Sequence, residues 1–221
     1  MKPALREPGS PAAERRALEA AIVCLAIPVG AAVLHWRTGL PLMPLKLVVL
    51  AAALALLWRD PSFDRRSLLR LEAVKSGWRG VLRRFLALAG ILCLAFWLLA
   101  PAAPFAFARR HPARWLAFAL FSPVLPAYPE EFLFRVFFFQ RYGGLFKNPR
   151  ARVAASALTF SLAHLYLANA WAVGLAFLGG LLFASTYERS HSAALTSLEH
   201  GLWAAAIFLI GLGPFFVPGL R

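Results

Sequence analysis

Ala113 to Gln140 reads ARWLAFALFSPVLPAYPEEFLFRVFFFQ, an apolar run that holds Pro123, Pro126 and Pro129 and then, embedded in it, Glu130, Glu131 and Arg135. The apolar flanks identify the solvent as lipid. Charges in such a setting are expensive: near mid-bilayer each costs about 2.5–3.5 kcal/mol even on the lenient insertion scale, so an intramembrane carboxylate pair is a functional candidate by default. The run is too long for one straight span, and its prolines predict a kink or break just ahead of the charged motif.

The rest of the chain has the same character. Of 221 residues, 60% are hydrophobic and 15% charged, more apolar surface than a soluble domain of this length can cover. Stretches bounded by charge, Pro or Gly predict spans at Ala17 to Trp36, Leu40 to Trp58, Phe85 to Phe107, Ala113 to Gln140, Val153 to Ala168, Trp171 to Tyr187 and Ala193 to Leu212. The expected fold is an all-α membrane bundle of seven transmembrane helices, or eight if the fourth run is two. Residues 1–112 would supply amino-terminal helices and 113–221 the functional core of one membrane domain, with no soluble domain attached. Between the second and third spans, the basic segment Arg59 to Arg84 carries Phe63, Leu68, Leu69, Leu71, Val74, Trp78, Val81 and Leu82 at spacings near three and four. That predicts an amphipathic helix lying in the headgroup region.

The first apolar run is not read as a signal peptide, because the leader before it is long and mixed in charge (Arg6, Glu7, Glu14, Arg15, Arg16) and more spans follow. Cys24 and Cys93 have neither a CxxC partner nor metal-ligand spacing and read as small apolar fillers. The net charge of +14 does not point to nucleic acid, since the basic residues sit in short loops between apolar runs, where they orient helices and meet anionic headgroups. With seven spans, 17 Lys and Arg fall on one side and only Arg37, Arg109, Arg110, Arg114 and Arg221 on the other, with Lys46 and Arg135 inside spans. The asymmetry puts the amino terminus in the cytoplasm.

On a helix, Glu131 and Arg135 are four residues apart and pair, while Glu130 points about 100° away toward a different neighbour. One carboxylate is left over, which is what a general base would be. Two further polar elements lie in later spans: Phe160-Ser161-Leu162-Ala163-His164 and Leu198-Glu199-His200-Gly201. At about 1.5 Å per residue from the cytoplasmic boundary of each span, Glu130 lies roughly 16 Å deep, His164 roughly 18 Å and His200 roughly 14 Å. All three fall near the middle of a core about 30 Å thick, at a depth where they can share one polar pocket.

Glu130-Glu131-xxx-Arg135, Phe160-xxx-His164 and a later His200 resemble, in order and spacing, the CAAX-prenyl-protease and bacteriocin-processing (CPBP, or Abi) family of intramembrane endopeptidases. The resemblance covers Pro129 to about Ile210. It implies a fold of seven or eight transmembrane helices around a water-accessible cavity, and peptide-bond hydrolysis inside the membrane. It further implies that Glu130 activates water with help from His164, that Glu131 and Arg135 orient the site, and that His200 holds the water or stabilises the oxyanion. The family's third motif usually continues to Asn or Asp four residues after His, where this chain has Ala204. Alanine donates no hydrogen bond to an oxyanion, which leaves Glu199, Ser197 and Thr196 as the nearby polar groups.

Glu130, His164 and His200 also have the composition of a catalytic zinc site, two His and a carboxylate with an open position for water. There is no HExxH helix, and the sequence leaves a glutamate-activated and a metal-bound water both open. Two other classes stay open: a transporter or ion relay built on the same intramembrane charges, and an inactive immunity or scaffold relative, for which Ala204 is the motive. The expected partners are the lipid bilayer and a membrane-associated protein or peptide substrate. The expected location is a bacterial plasma membrane.

Overall fold

The structure, a computed structural model, describes residues 10–99 and 105–217; Lys2, Arg6 and Arg221 of the charge asymmetry, and part of the third expected span, lie outside these. The described residues are helical throughout, without strands. The principal helices are α1 (Pro11–Thr38), α2 (Met43–Trp58), α3 (Leu71–Leu99), α4 (Pro112–Phe121), α5 (123–142), α6 (Pro149–Leu162), α7 (Ala170–Ser190) and α8 (Ala193–Ile210). Of these, α1, α7 and α8, together with α3 and the single 3₁₀ turn Arg65–Leu68 before it, are long and apolar enough to cross a membrane.

Local chemistry sets many of the boundaries. The side chains of Ser10, Asn148, Asn169 and Ser192 each accept a hydrogen bond from a backbone N–H in the first turn that follows, which satisfies donors that a helix start otherwise leaves orphaned. Gly39 and Gly211 end α1 and α8 in the left-handed conformation, at φ of 69° and 101°.

The polarity of the molecule is inverted. Leu99, Leu98, Ile91 and Val48 point outward, while Glu131, Arg135 and Glu199 are fully covered at 0% exposure. Lipid accepts the first group and has no hydrogen bonds to offer the second. Small residues let the inner helices approach: a Cβ on Gly180 of α7 would sit 2.9 Å from the Ala157 Cα of α6. Ion pairs fasten helix ends, with Arg141 of α5 giving two 2.8 Å hydrogen bonds to Glu19 of α1 and Arg152 of α6 paired with Glu188 of α7.

Three details differ from the sequence expectation. Arg59 to Arg84 is not a separate interfacial helix. Its first part is a packed loop, tied down by hydrogen bonds from Tyr128 Oη to the Leu68 carbonyl at 3.0 Å and from Ser192 Oγ to the Leu69 carbonyl at 2.9 Å. Its second part is the start of α3, which runs unbroken into the third apolar run. The fourth run is interrupted as its prolines require: α4 stops at Phe121, Ser122 is a turn, and α5 alternates wide π-type turns (Pro123–Ala127 and Phe132–Phe137) with short α segments. The fifth run ends early, at Leu162, so His164 lies just beyond α6 at the head of the 3₁₀ turn Leu165–Leu167.

Filling the α6–α7 contact tests this packing. Gly180→Val should lower the thermal midpoint of the detergent-solubilised protein, by the roughly 1–3 kcal/mol typical of overpacking, while Gly174→Ala, where a Cβ meets nothing within 4 Å, should not lower it.

Candidate active site

Four elements meet at the charged motif. The wide turn Phe132–Phe137 follows Glu131 directly, and departures of this kind from α-helical spacing concentrate at functional sites. On it, Arg135 Nε lies 3.2 Å from Glu131 Oε2, and Arg135 Nη1 donates to Ser156 Oγ of α6 at 3.3 Å. The guanidinium is capped by aromatic rings, with its carbon 4.9 Å from the centre of Phe160 and 5.8 Å from that of Phe183. These rings add cation–π attraction where water is excluded.

Glu131 has a second partner. Its Oε1 lies 2.9 Å from His200 Nδ1 on α8. A carboxylate paired with Arg135 offers only acceptors, so Nδ1 donates to it, and in the neutral ring Nε2 is then the nitrogen with the lone pair. The ring is fixed by stacking on Phe183 (4.5 Å between centres, 20° between planes) and by the edge of Phe160 at 5.5 Å. His164 has the same tautomer by the same logic. Its Nδ1 lies 2.9 Å from the Phe160 carbonyl, which only accepts, so Nε2 is again the unprotonated nitrogen.

Glu130 points away from this pair, as its helical offset requires. It is a quarter exposed, its Oε2 lies 3.9 Å from His200 Nε2, and its Oε1 lies 3.9 Å from Lys46 Nζ of α2. Both separations are too long for a direct hydrogen bond and suit a bridging water. The carboxylate left over in the sequence count thus has a cation beside it, which the charge inside the second span was the signal for.

Glu130, His164 and His200 line one cavity of about 650 Å³, whose remaining wall is almost wholly apolar and comes mainly from α3, α7 and α8. A second cavity of about 130 Å³, between α1, α2 and α5, also reaches Glu130 and His164 and contains Lys46. The structure therefore brings Glu130, Glu131, Arg135, His164 and His200 to one place, with Glu130 between two cavities.

Seating of α8 depends on small and hydroxyl groups. Ser122 Oγ donates to the Gly201 carbonyl at 3.2 Å, and Ser197 Oγ donates to the Pro123 carbonyl. A Cβ on Gly201 would lie 2.8 Å from the Pro123 Cα. The polar groups expected to replace the missing donor at position 204 are committed elsewhere. Ser197 is bound to Pro123, Thr196 Oγ1 returns to its own helix at the Ser192 and Ala193 carbonyls, and Glu199 is buried against Arg84 of α3, which also donates to Thr186 Oγ1 at 2.6 Å. None of the three lines either cavity, whereas Ala204 lines the larger one. The Arg84–Glu199 pair was not foreseen; Arg84 reads in the sequence as one more basic residue of a surface segment.

Metal fit can be judged from the same positions. Two imidazole nitrogens and a carboxylate are suitable donors, yet among the described residues no three His, Cys, Asp or Glu side chains converge as a metal-holding group.

A polar cluster within an apolar helical bundle, opening on two cavities, defines the class: a helical membrane protein with a candidate site among its helices. Residues 112–206 match the family model described as type II CAAX prenyl endopeptidase Rce1-like. Over that segment, somewhat under half of the chain, the CAAX-protease resemblance seen in the motifs is borne out, and the segment contains all five site residues. No curated protein and no solved structure matches the chain.

The Glu131–Arg135 pair makes an asymmetric forecast. Glu131→Ala strands a buried guanidinium and should cost about 3–5 kcal/mol, whereas Glu131→Leu with Arg135→Met should regain most of that stability. Thermal unfolding in one detergent measures both; equal loss in the single and double variants would contradict the ion-pair account.

Proposed function

We propose that the protein is an intramembrane endopeptidase that hydrolyses a peptide bond near the carboxy terminus or processing tag of a membrane-associated protein or peptide, using water activated by Glu130. The observation that carries this reading is the division of labour between adjacent glutamates. Glu131 is consumed in holding Arg135 and His200, and Glu130 faces the cavities with room for a water on its His200 side.

In this mechanism the substrate carbonyl enters the larger cavity and a water sits between Glu130 and the two imidazole Nε2 atoms. Glu130 takes a proton as the water oxygen attacks the carbonyl carbon. The Glu131 carboxylate accepts from Nδ1 of His200 and fixes the orientation of that ring. His200 takes part as the imidazolium: its Nε2–H donates first to the water and then to the tetrahedral oxyanion and keeps its proton throughout, the role Ala204 cannot fill. The proton held by Glu130 passes to the leaving nitrogen as the C–N bond breaks. His164, its ring oriented by the Phe160 carbonyl, accepts from the water and fixes its position.

Seven or eight membrane crossings fit the helix set, with α2, the broken α4–α5 unit and α6 completing those formed by the longer helices. The charge asymmetry supports an inner-membrane protein with a cytoplasmic amino terminus.

The test is cleavage of membrane peptide substrates by purified protein in detergent or liposomes, followed by mass spectrometry. Glu130→Gln should lower the rate about 10²–10⁴-fold, the usual worth of a positioned base, and His200→Ala should fall in the same range. Exhaustive chelation should leave the wild-type rate unchanged. Undiminished cleavage by Glu130→Gln, or loss on chelation that one metal restores, overturns the mechanism. Ion flux in liposomes without proteolysis would favour a relay.

A further inference from the structure

Lys46 has no assigned role, and its surroundings define one. Lys46 is the only cation among the described residues lining either cavity. It sits twelve residues from the Trp58 end of α2, about 18 Å along the helix and level with Glu130 and His164. An ammonium at that depth is costly unless it meets an anion. Glu130 meets it incompletely, at 3.9 Å, and the Lys46 side chain keeps 41% of its surface open. Its Nζ lies 5.0 Å from the centre of the Tyr166 ring, and Tyr166 is fixed in turn by the Trp36 indole, which donates to its carbonyl at 3.1 Å. The stem is steered while the three ammonium protons are not used up.

The two cavities are unequal. The larger, apolar one takes a bulky apolar group, and the smaller one, about 130 Å³ with Lys46 in its wall, has room for a short chain end. A lipid headgroup stays at the interface, some 15 Å from this depth, so the anion has to arrive on a substrate chain. We propose that Lys46 is a specificity residue that binds the terminal carboxylate of the substrate's leaving segment, so that Glu130 stands between an apolar subsite and an anion subsite. This rests on the endopeptidase reading for what the site does, and on the cavity geometry alone for what it binds.

Binding separates the two. The probe is a fluorescent peptide carrying a prenylated cysteine followed by three residues, made as the free acid and as the carboxamide. Its affinity for detergent-solubilised Glu130→Gln protein is read by anisotropy. The acid should bind roughly tenfold tighter or more, the worth of a hydrogen bond to a charged group. Adding Lys46→Gln should bring the acid-to-amide ratio near one, and Lys46→Arg should retain it. Size-exclusion profiles report whether each variant is folded. Equal binding of acid and amide, a ratio that survives Lys46→Gln, or no binding of either form overturns the proposal. If the ratio behaves as expected and the wild-type protein cleaves neither peptide, the anion subsite stands and the endopeptidase reading falls.

Discussion

A carboxylate that lipid cannot solvate must be satisfied from within the protein, and Glu131 meets this requirement by joining three helices at once. Through Arg135 it reaches Ser156 of α6, and through His200 it reaches α8. Each contact is weak evidence of stability by itself, because desolvation offsets much of what a buried pair gains. Its effect is on specificity. Sliding α8 by one residue would rotate His200 about 100° off the carboxylate and strand both. The polar cluster thereby fixes the relative rotation of α5 and α8 where apolar packing against lipid-like neighbours discriminates little.

That fixed register explains why the backbone ahead of the motif is irregular. Pro123 and Pro126 lack the N–H that continues the hydrogen-bond ladder, and Ser197 of α8 donates to the Pro123 carbonyl in this widened stretch. Gly201, beside Pro123 with no room for a side chain, lets α8 come close enough to make that bond. Helix break, serine donor and glycine act as one unit, and they set His200 against the glutamate pair.

Much of this was legible in the sequence because lipid enforces simple rules. Apolar runs had to be helical, the proline-rich run had to break, and charges inside helices had to find one another. The positions that escaped are those where tertiary contact overrides local pattern. Arg84 has the spacing of a surface residue and turns inward because Glu199, 115 positions later, is buried opposite it. The loop before α3 has the composition of an interfacial helix, yet Tyr128 and Ser192 take its carbonyls. His164 looked helical by hydropathy, while Leu162 in fact ends α6 and the 3₁₀ turn after it depends on Ala168 at a positive φ of 49°, which no glycine signalled.

The same contacts bear on the alanine at position 204. A hydrogen-bond donor there would be one of two ways to meet an oxyanion; the other is a ring nitrogen whose proton is stabilised from behind. His200 has that backing in Glu131, and Glu131 is paired with Arg135, so on the proposed mechanism the chain Arg135–Glu131–His200 holds the Nε2–H at the oxygen of the reacting carbon. Glu199, the sequence alternative, would bring a negative charge to the same place and oppose the reaction. Its capture by Arg84 and Thr186 removes that opposition. The unforeseen ion pair and the missing donor then belong to one electrostatic arrangement, in which the oxyanion side of the cavity is kept free of carboxylates other than the base.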